Sequence, residues 1–190
     1  MRRLNHFFIA CTTVVLTACQ HAPVAPAQNA TAQIAPLALR LSPASFNRSI
    51  SLTQQITVEY SGATHQLDGL IEIDPQQINV ALMKFGQRVV TMSDDGQNLN
   101  VTKNPHVPEQ IKPEQIVSSI QLAFWPTASI TAQLPEGYRL VESSNHRALW
   151  LNDALISSIA YSQPELDGQT AIFTNTQFNY RMTIVSRAVQ

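Results

Sequence analysis

The sequence predicts a mainly β fold of the α+β class. We expect an antiparallel, strongly curved sheet of about ten strands, or unclosed β-barrel, with one central amphipathic helix as its plug. Apolar and polar residues alternate with a period of two through most of the chain after residue 37. Turn sequences such as Asp95-Gly96 and Asp167-Gly168 separate the alternating runs. Residues 113–124 show helical spacing instead. Because a large sheet with one apolar face must close or be covered, this helix is the predicted cover.

The first group of strands lies before the helix. Its clearest member ends at Ser61-Gly62, a turn sequence. In that strand Ile50, Leu52, Ile56, Val58 and Tyr60 share one face, and polar residues fill the other. The same alternation predicts further strands at residues 67–73, 78–82, 89–92 and 99–102. One side of this sheet should therefore meet an apolar layer and the other side water.

The helix follows a proline-rich loop at residues 104–113. Pro113 suits the first helical position, and Glu114 lies in the first turn, where the helix dipole favours an anion. The helix should end at Trp125, because a residue before proline is disfavoured in the α region. Its apolar positions recur at helical spacing at Ile116, Ile120, Ala123 and Phe124.

A second group of strands is predicted after the helix, at residues 138–142, 147–151, 155–162, 170–174 and 178–187. The last is the most regular, with Phe178, Tyr180, Met182 and Ile184 on one face. The strands are expected to follow one another as a meander around the helix.

The first 36 residues have a different character. Arg2 and Arg3 precede an apolar run at residues 7–16, which is typical of an export signal and too short to span a bilayer. We therefore expect a signal peptide at residues 1–18. An Ala/Pro-rich tether should follow at residues 19–36, and one folded domain at residues 37–190.

Composition narrows the classes of partner and chemistry. The net charge is −1 and only 13% of residues are charged, which argues against nucleic acid as a partner. Ser144, His146 and Asp153 would suit a hydrolase, but no nucleophile-elbow sequence surrounds them. The histidines lack the spacing of metal ligands. We therefore expect that the protein is not an enzyme and that it has no catalytic residue, metal site or cofactor.

Leu16-Thr17-Ala18-Cys19 resembles a lipobox, the recognition site of the lipoprotein signal peptidase. That resemblance implies that Cys19 carries the lipid and becomes the first residue of the mature protein. Gln20, in place of aspartate, implies transfer to the outer membrane, on its periplasmic face.

The order of strands, helix and strands resembles the LolA/LolB class, unclosed β-barrels whose helices cover a cavity for acyl chains. The chain resembles more closely a family of uncharacterised bacterial lipoproteins that are often encoded beside aryl-polyene biosynthesis genes. The segments that carry this resemblance are residues 67–74, 121–126 and 175–184.

The resemblance implies a non-catalytic lipoprotein that binds or transfers a lipid-like molecule, either a lipoprotein acyl chain or an aryl-polyene lipid. The alternative is a structural or adaptor lipoprotein of an envelope transport or pigment-assembly system. In either case a periplasmic carrier or transporter is the candidate protein partner. Phe85 matches the exposed apolar residue with which the outer-membrane receptor of this class contacts the membrane. The alternative is that Phe85 packs into the core near a turn. Six aromatic residues are candidates to line the cavity or to form an ordinary core: Phe124, Trp125, Trp150, Tyr161, Phe178 and Tyr180.

Overall fold

The computed structural model of the protein describes residues 35–107 and 112–189, and the chain from Pro36 onward forms one compact unit. Ten antiparallel strands form a single sheet. Their bounds are β1 Ile50–Tyr60, β2 Ala63–Ile73, β3 Ile78–Lys84, β4 Gln87–Asp94, β5 Leu99–Lys103, β6 Tyr138–Ser143, β7 His146–Leu151, β8 Ala154–Tyr161, β9 Thr170–Asn175 and β10 Tyr180–Ala188.

The sheet order is β5-β4-β3-β2-β1-β10-β9-β8-β7-β6. Each group of five strands is a meander, and the two groups join where β1 pairs with β10, from Leu52 opposite Ala188 to Tyr60 opposite Tyr180. The single continuous meander expected from the sequence is therefore wrong at this junction. Strands β5 and β6 are the two edges and do not pair with each other, so the sheet is open. The predicted fold class is confirmed.

Two α-helices connect the meanders: α1, Pro113–Phe124, and α2, Thr127–Thr131. Helix α1 begins at Pro113 and ends before Trp125 in an extended conformation, as the sequence predicts. The short helix α2 and a 3-10 helix at Pro43–Phe46 were not predicted. Both are too short to show a helical period.

The apolar side chains of the strands alternate as predicted, and those on the inner face form the core. Two exceptions are Tyr60 at the end of β1, which is 45% exposed, and Phe178, which lies in the turn before β10 and is 37% exposed. The most deeply buried apolar residues of the strands are Leu52, Ile71, Ile73, Ile78, Val80, Val90, Met92, Leu149, Ile159 and Phe173. Val117, Ile120 and Leu122 of α1 pack into the same core, so the helix lies on the apolar face of the sheet.

Residues 37–46, which we call the strap, precede β1 and share this core. Leu39 and Leu41 are buried and Leu37 is half-buried, whereas Ala38 and Arg40 are exposed. The strap therefore alternates like a strand, yet within the described part of the chain no strand pairs with it. The apolar face of the sheet is covered by α1 and the strap together, and not by the helix alone.

Candidate functional site

The strap is hydrogen-bonded to α1 through side chains of the helix. Ser118 Oγ accepts from the backbone N–H of Leu39 at 2.7 Å. Gln115 Nε2 donates to the carbonyl oxygen of Leu37 at 3.1 Å. These helix residues recur at a spacing of three, so they lie along one side of α1. The strap thus runs beside the helix, and helix side chains satisfy polar groups that a neighbouring strand would otherwise satisfy.

Gln121 makes the most complete of these contacts. Its Oε1 accepts from the backbone N–H of Leu41 at 3.1 Å, and its Nε2 donates to the carbonyl oxygen of the same residue at 3.0 Å. The Gln121 side chain is 0% exposed, although it is polar. Both polar atoms of this buried amide are thus hydrogen-bonded to the backbone of one residue, which compensates for their loss of water.

The far end of the strap packs against the C-terminal end of α1. Trp125 is fully buried and stacks on Phe46, with ring centroids 4.8 Å apart. Its indole N–H donates to Ser45 Oγ at 2.9 Å. Trp125 is thus a core residue in which the polar atom is satisfied by the strap.

An ion pair between the exposed Arg40 and the buried Asp94 ties the strap to the β4–β5 turn. Arg40 Nη2 lies 3.1 Å from Asp94 Oδ1, which also accepts from the backbone N–H of Gly96 at 3.0 Å. The Asp94 side chain is fully buried, and its Oδ2 has no hydrogen-bond partner in the structure. Gly96 also lies close to the strap, because an added Cβ would be 3.1 Å from Ser42 Cα. The strap therefore bridges α1 and the β4 side of the sheet.

The C-terminal end of α1 is held by Arg147 of β7. Its Nη1 donates to the carbonyl oxygens of Leu122, Ala123 and Trp125 at 3.0, 3.3 and 2.7 Å. Nη2 of the same guanidinium lies 2.8 Å from Glu142 Oε1. A cation at this position satisfies carbonyls that have no partner within the helix and matches the sign of the helix dipole.

Two side chains near Arg147 have shifted pKa values. Tyr161 donates from its hydroxyl to the carbonyl oxygen of Ala123 at 2.9 Å, and burial raises its pKa to about 12. Partial burial acts to raise the pKa of Glu142, but hydrogen bonds from Thr127 and Arg147 lower it overall. Both shifts favour the ionisation states that the contacts at this end of α1 require. Tyr161 stays neutral and donates its hydroxyl proton to Ala123, and Glu142 stays ionised beside Arg147.

The remaining candidate aromatics do not share one environment. Phe124 is half-buried against the core. Trp150 is half-buried, and the Arg139 guanidinium lies 5.1 Å from its ring centre. Tyr180 stacks on Phe173 with centroids 6.0 Å apart, and burial raises its pKa. Of the six candidates, Phe124 belongs to α1, whereas Tyr161 and Tyr180 are hydrogen-bonded to α1 and Trp125 to the strap.

Phe85 lies at the tip of the β3–β4 hairpin and is 93% exposed. Its φ of 53° and the φ of 75° at Gly86 form a two-residue turn in which both residues are left-handed. The Lys84 ammonium lies 5.7 Å from the Phe85 ring centre. The packing of Phe85 near the turn, which the sequence left open, is not seen.

Two surface cavities lie on the outer, polar face of the sheet. One has a volume of about 450 Å³ and is lined by residues of β1, β2, β3 and β10, among them Thr53, Gln55, Asp68 and Arg187. The other, of about 330 Å³, is lined by Ser49, Glu72 and Asp74 among others. Neither is lined by any of the six candidate aromatics.

Comparison with known proteins assigns residues 51–188 to a family described as protein of unknown function (DUF3261). The chain belongs to this family. The match includes the sheet and α1, and it begins after the strap. No curated protein matches the sequence.

The DUF3261 chain is also similar to a solved structure, the crystal structure of a LolA superfamily protein from Nitrosomonas europaea. The TM-score is 0.41 and the sequence identity is 10%. The similarity covers 77% of this chain and 89% of that chain.

The residues that would suit a hydrolase are separated in this DUF3261 domain. Ser144 lies in the β6–β7 turn and His146 begins β7, whereas Asp153 lies in the β7–β8 turn, at the opposite end of β7. Within residues 35–107 and 112–189, no three potential ligands among His, Cys, Asp and Glu lie close enough together to hold a metal ion. No helix within those residues is long and apolar enough to cross a membrane.

The sequence analysis missed some parts of the candidate site, and other predicted parts lie outside the described residues. The strap could have been found, because Leu37, Leu39 and Leu41 alternate with polar or small residues. Gln121 and Arg147 had no local signal, since each acts on the backbone of a distant segment. Cys19, with the predicted signal peptide and nearly all of the tether, lies outside the described residues.

Proposed function

We propose that this chain is a non-catalytic lipoprotein of the periplasmic face of the outer membrane that binds or transfers a lipid-like molecule. The observation that carries the proposal is the apolar inner face of an open sheet, covered by a helix and a strap that are held through side chains. An apolar interior with few polar groups suits an acyl or polyene chain. Elements that do not pair with the sheet can separate from it without breaking its hydrogen-bond ladder.

The proposed anchor is lipid on Cys19. Each buried methylene contributes about 0.8 kcal/mol, so attachment through more than one acyl chain is stable. We expect labelled palmitate to be incorporated into the unmodified chain and not into Cys19→Ser, which should leave the membrane fraction. Labelling of Cys19→Ser at the level of the unmodified chain would contradict the anchor.

Exposed aromatic residues at one end of the sheet support a second contact with the membrane. Phe85 in the β3–β4 turn, Tyr60 before the β1–β2 turn and Phe178 in the β9–β10 turn are 93%, 45% and 37% exposed. The register of the antiparallel pairs brings these three turns to the same end. Aromatic side chains near basic ones, here Lys84 and Arg88, favour the interface of an anionic bilayer.

Vesicle binding tests this contact without the lipid anchor. The Cys19→Ser chain should bind vesicles that contain phosphatidylglycerol, and Phe85→Asn should weaken that binding by about tenfold, because it removes a large apolar side chain from the interface. Val141→Asn is the matched control, since Val141 is an exposed apolar residue in β6 away from these turns. Equal losses in both variants would contradict a specific role for Phe85.

The proposed ligand is tested by native mass spectrometry of the chain purified from its own envelope. We expect a bound lipid or polyene that is released on denaturation, and uptake of a fluorescent fatty acid by the emptied protein. A domain that carries no such molecule and takes up no fatty acid would contradict lipid binding.

The adaptor function has one observation in its favour, the cavity of about 450 Å³ on the outer face. Polar side chains there, such as Gln55 and Asp68, would suit a protein partner. If the chain captures a transport partner and substitutions at Gln55 and Asp68 abolish capture while Phe173→Leu in the core does not, the adaptor function is favoured.

A further inference from the structure

The strap occupies its groove in the way that a bound ligand would. It is an extended segment whose apolar side chains, Leu39 and Leu41, enter the core between α1 and the sheet. Its polar groups are bound by helix side chains and by one ion pair at Asp94, and it pairs with no strand of the described chain. Removing the strap would therefore leave a continuous apolar groove and an intact sheet ladder.

The polar atoms of that groove select the chemistry of its occupant. Without the strap, the amide of Gln121 and the hydroxyl of Ser118 would lose the partners that they bind in the interior. A hydrocarbon would leave the amide buried and unsatisfied, which is costly. An N-acylated amino acid amide restores both hydrogen bonds of Gln121, because its amino acid residue offers an N–H and a carbonyl oxygen on either side of one Cα, as Leu41 does.

We propose that the strap fills the ligand site of this protein and that an N-acyl amino acid amide replaces it. The acyl chain takes the positions of Leu39 and Leu41, and the N–H and carbonyl oxygen of the amino acid residue bind Gln121. The inference rests on the proposed lipid-binding function and names the ligand class and the residue that recognises it. The strap is then an internal competitor, and ligand affinity depends on how firmly the strap is held.

A Leu→Ala substitution in the strap tests this competition. Leu39→Ala, made in the Cys19→Ser chain, weakens the strap without changing the groove. Pyrenedecanoyl-glycinamide should therefore bind about tenfold more tightly to this variant than to the parent Cys19→Ser chain. Leu149→Ala is the matched control, because both leucines are 2% exposed and Leu149 belongs to β7. Hydrogen exchange at the amides of Leu39 and Leu41 should accelerate in Leu39→Ala and not in Leu149→Ala.

A second pair of measurements tests Gln121. In the Leu39→Ala background, pyrenedecanoyl-glycinamide should bind about tenfold more tightly than dodecylpyrene, which has no carbonyl group. Gln121→Met keeps the length of the side chain and should abolish this preference. A preference that survives Gln121→Met overturns the role of Gln121. Should Leu39→Ala fail to fold, Leu37→Ala at the half-buried start of the strap provides the same comparison.

The outcomes separate the two proposals. If the parent chain binds the acyl amide and Leu39→Ala binds it no better than Leu149→Ala does, the strap is not a competitor and lipid binding stands. If strap exchange is fast in Leu39→Ala but neither probe binds, the proposed lipid-binding function is overturned, and with it the ligand class.

Discussion

At the scale of single residues, Phe85 is the least expected feature of the structure. The non-glycine residues with positive φ in the described chain are Asn47, Ser61, Phe85, Asn152 and Asn179. Asparagine tolerates this region because its short polar side chain bonds locally, whereas a large apolar residue gains nothing there. The exposed ring therefore adds backbone strain without packing in the fold, which supports the proposed contact with the membrane.

Phe85→Asn should raise the free energy of unfolding by about 1 kcal/mol, because Asn-Gly is the favoured sequence of this turn. Urea denaturation of the two chains measures the difference. The same substitution should weaken vesicle binding, so stability and membrane contact would change in opposite directions. A loss of stability in Phe85→Asn would mean that the ring contributes to the fold.

Tyr161 provides a prediction for alkaline pH. Burial raises its pKa in the folded state to about 12, above the ordinary value of 10.0. The folded state therefore holds this proton more tightly, and the associated stability is complete below pH 10 and is lost as pH rises towards 12. The free energy of unfolding should fall over that range with a contribution from Tyr161 of about 1.4 kcal/mol per pH unit.

Tyr161→Phe should remove that contribution and cost about 1 kcal/mol at neutral pH, through the lost hydrogen bond to Ala123. Urea denaturation at several pH values measures both effects. Part of the slope should remain, because burial also raises the pKa of Tyr180. An unchanged slope in Tyr161→Phe would assign the alkaline loss to other groups.

At the scale of elements, α1 is buried because different partners cover its sides. Its apolar residues face the sheet, the strap covers Gln115, Ser118 and Gln121, and Arg147 holds its C-terminal carbonyls. The sequence predicted the bounds of α1 well, since Pro113 and Trp125-Pro126 act on the local backbone. It did not predict that the polar side of the helix is covered, because nothing local shows that a segment about 80 residues earlier binds those polar groups.

Arg147→Lys tests the anchoring of α1. Lysine keeps the charge but lacks the planar set of donors that contacts Glu142 and the helix carbonyls together. We expect a loss of about 2 kcal/mol in the free energy of unfolding, by urea denaturation, and faster hydrogen exchange in α1. Arg139→Lys is the control, because the contact described for Arg139 is with the ring of Trp150 and not with the helix. Equal losses in the two variants would contradict a special role for Arg147.

At the scale of the whole molecule, the strands and turns were predictable, whereas the joining of the two meanders was not. Strands β1 and β10 lie at opposite ends of the domain sequence, and pairing at that distance leaves no local signal in either strand. Three residues of the inner face, Gly69, Gln54 and Ser186, lie close together at this junction. Gly69 lies opposite Gln54 on the neighbouring strand, and Gln54 donates to Ser186 of β10 at 3.0 Å.

Gly69→Ala tests how closely β1 and β2 pack on the inner face of the sheet. An added Cβ would lie 3.2 Å from Ile56 Cδ1 and 3.4 Å from Gln54 Cβ, so the inner face must shift to admit it. Overpacking of this kind costs about 1–3 kcal/mol, and the smaller entropy of the unfolded alanine chain offsets about 0.4–1 kcal/mol. We therefore expect a net loss of about 1 kcal/mol in the free energy of unfolding.

The partner substitution Ile56→Val identifies the cause of that loss, because it removes the Cδ1 atom that the new methyl group meets. In urea denaturation of the two single variants and the double variant, the double variant should be more stable than the sum of the single effects predicts. Additive losses would mean that backbone conformation, and not the approach of Ile56, requires glycine at position 69. A favourable coupling would instead assign the loss of stability to the contact between position 69 of β2 and Ile56 of β1. This contact lies beside the β1–β10 pair that joins the two meanders into one open sheet.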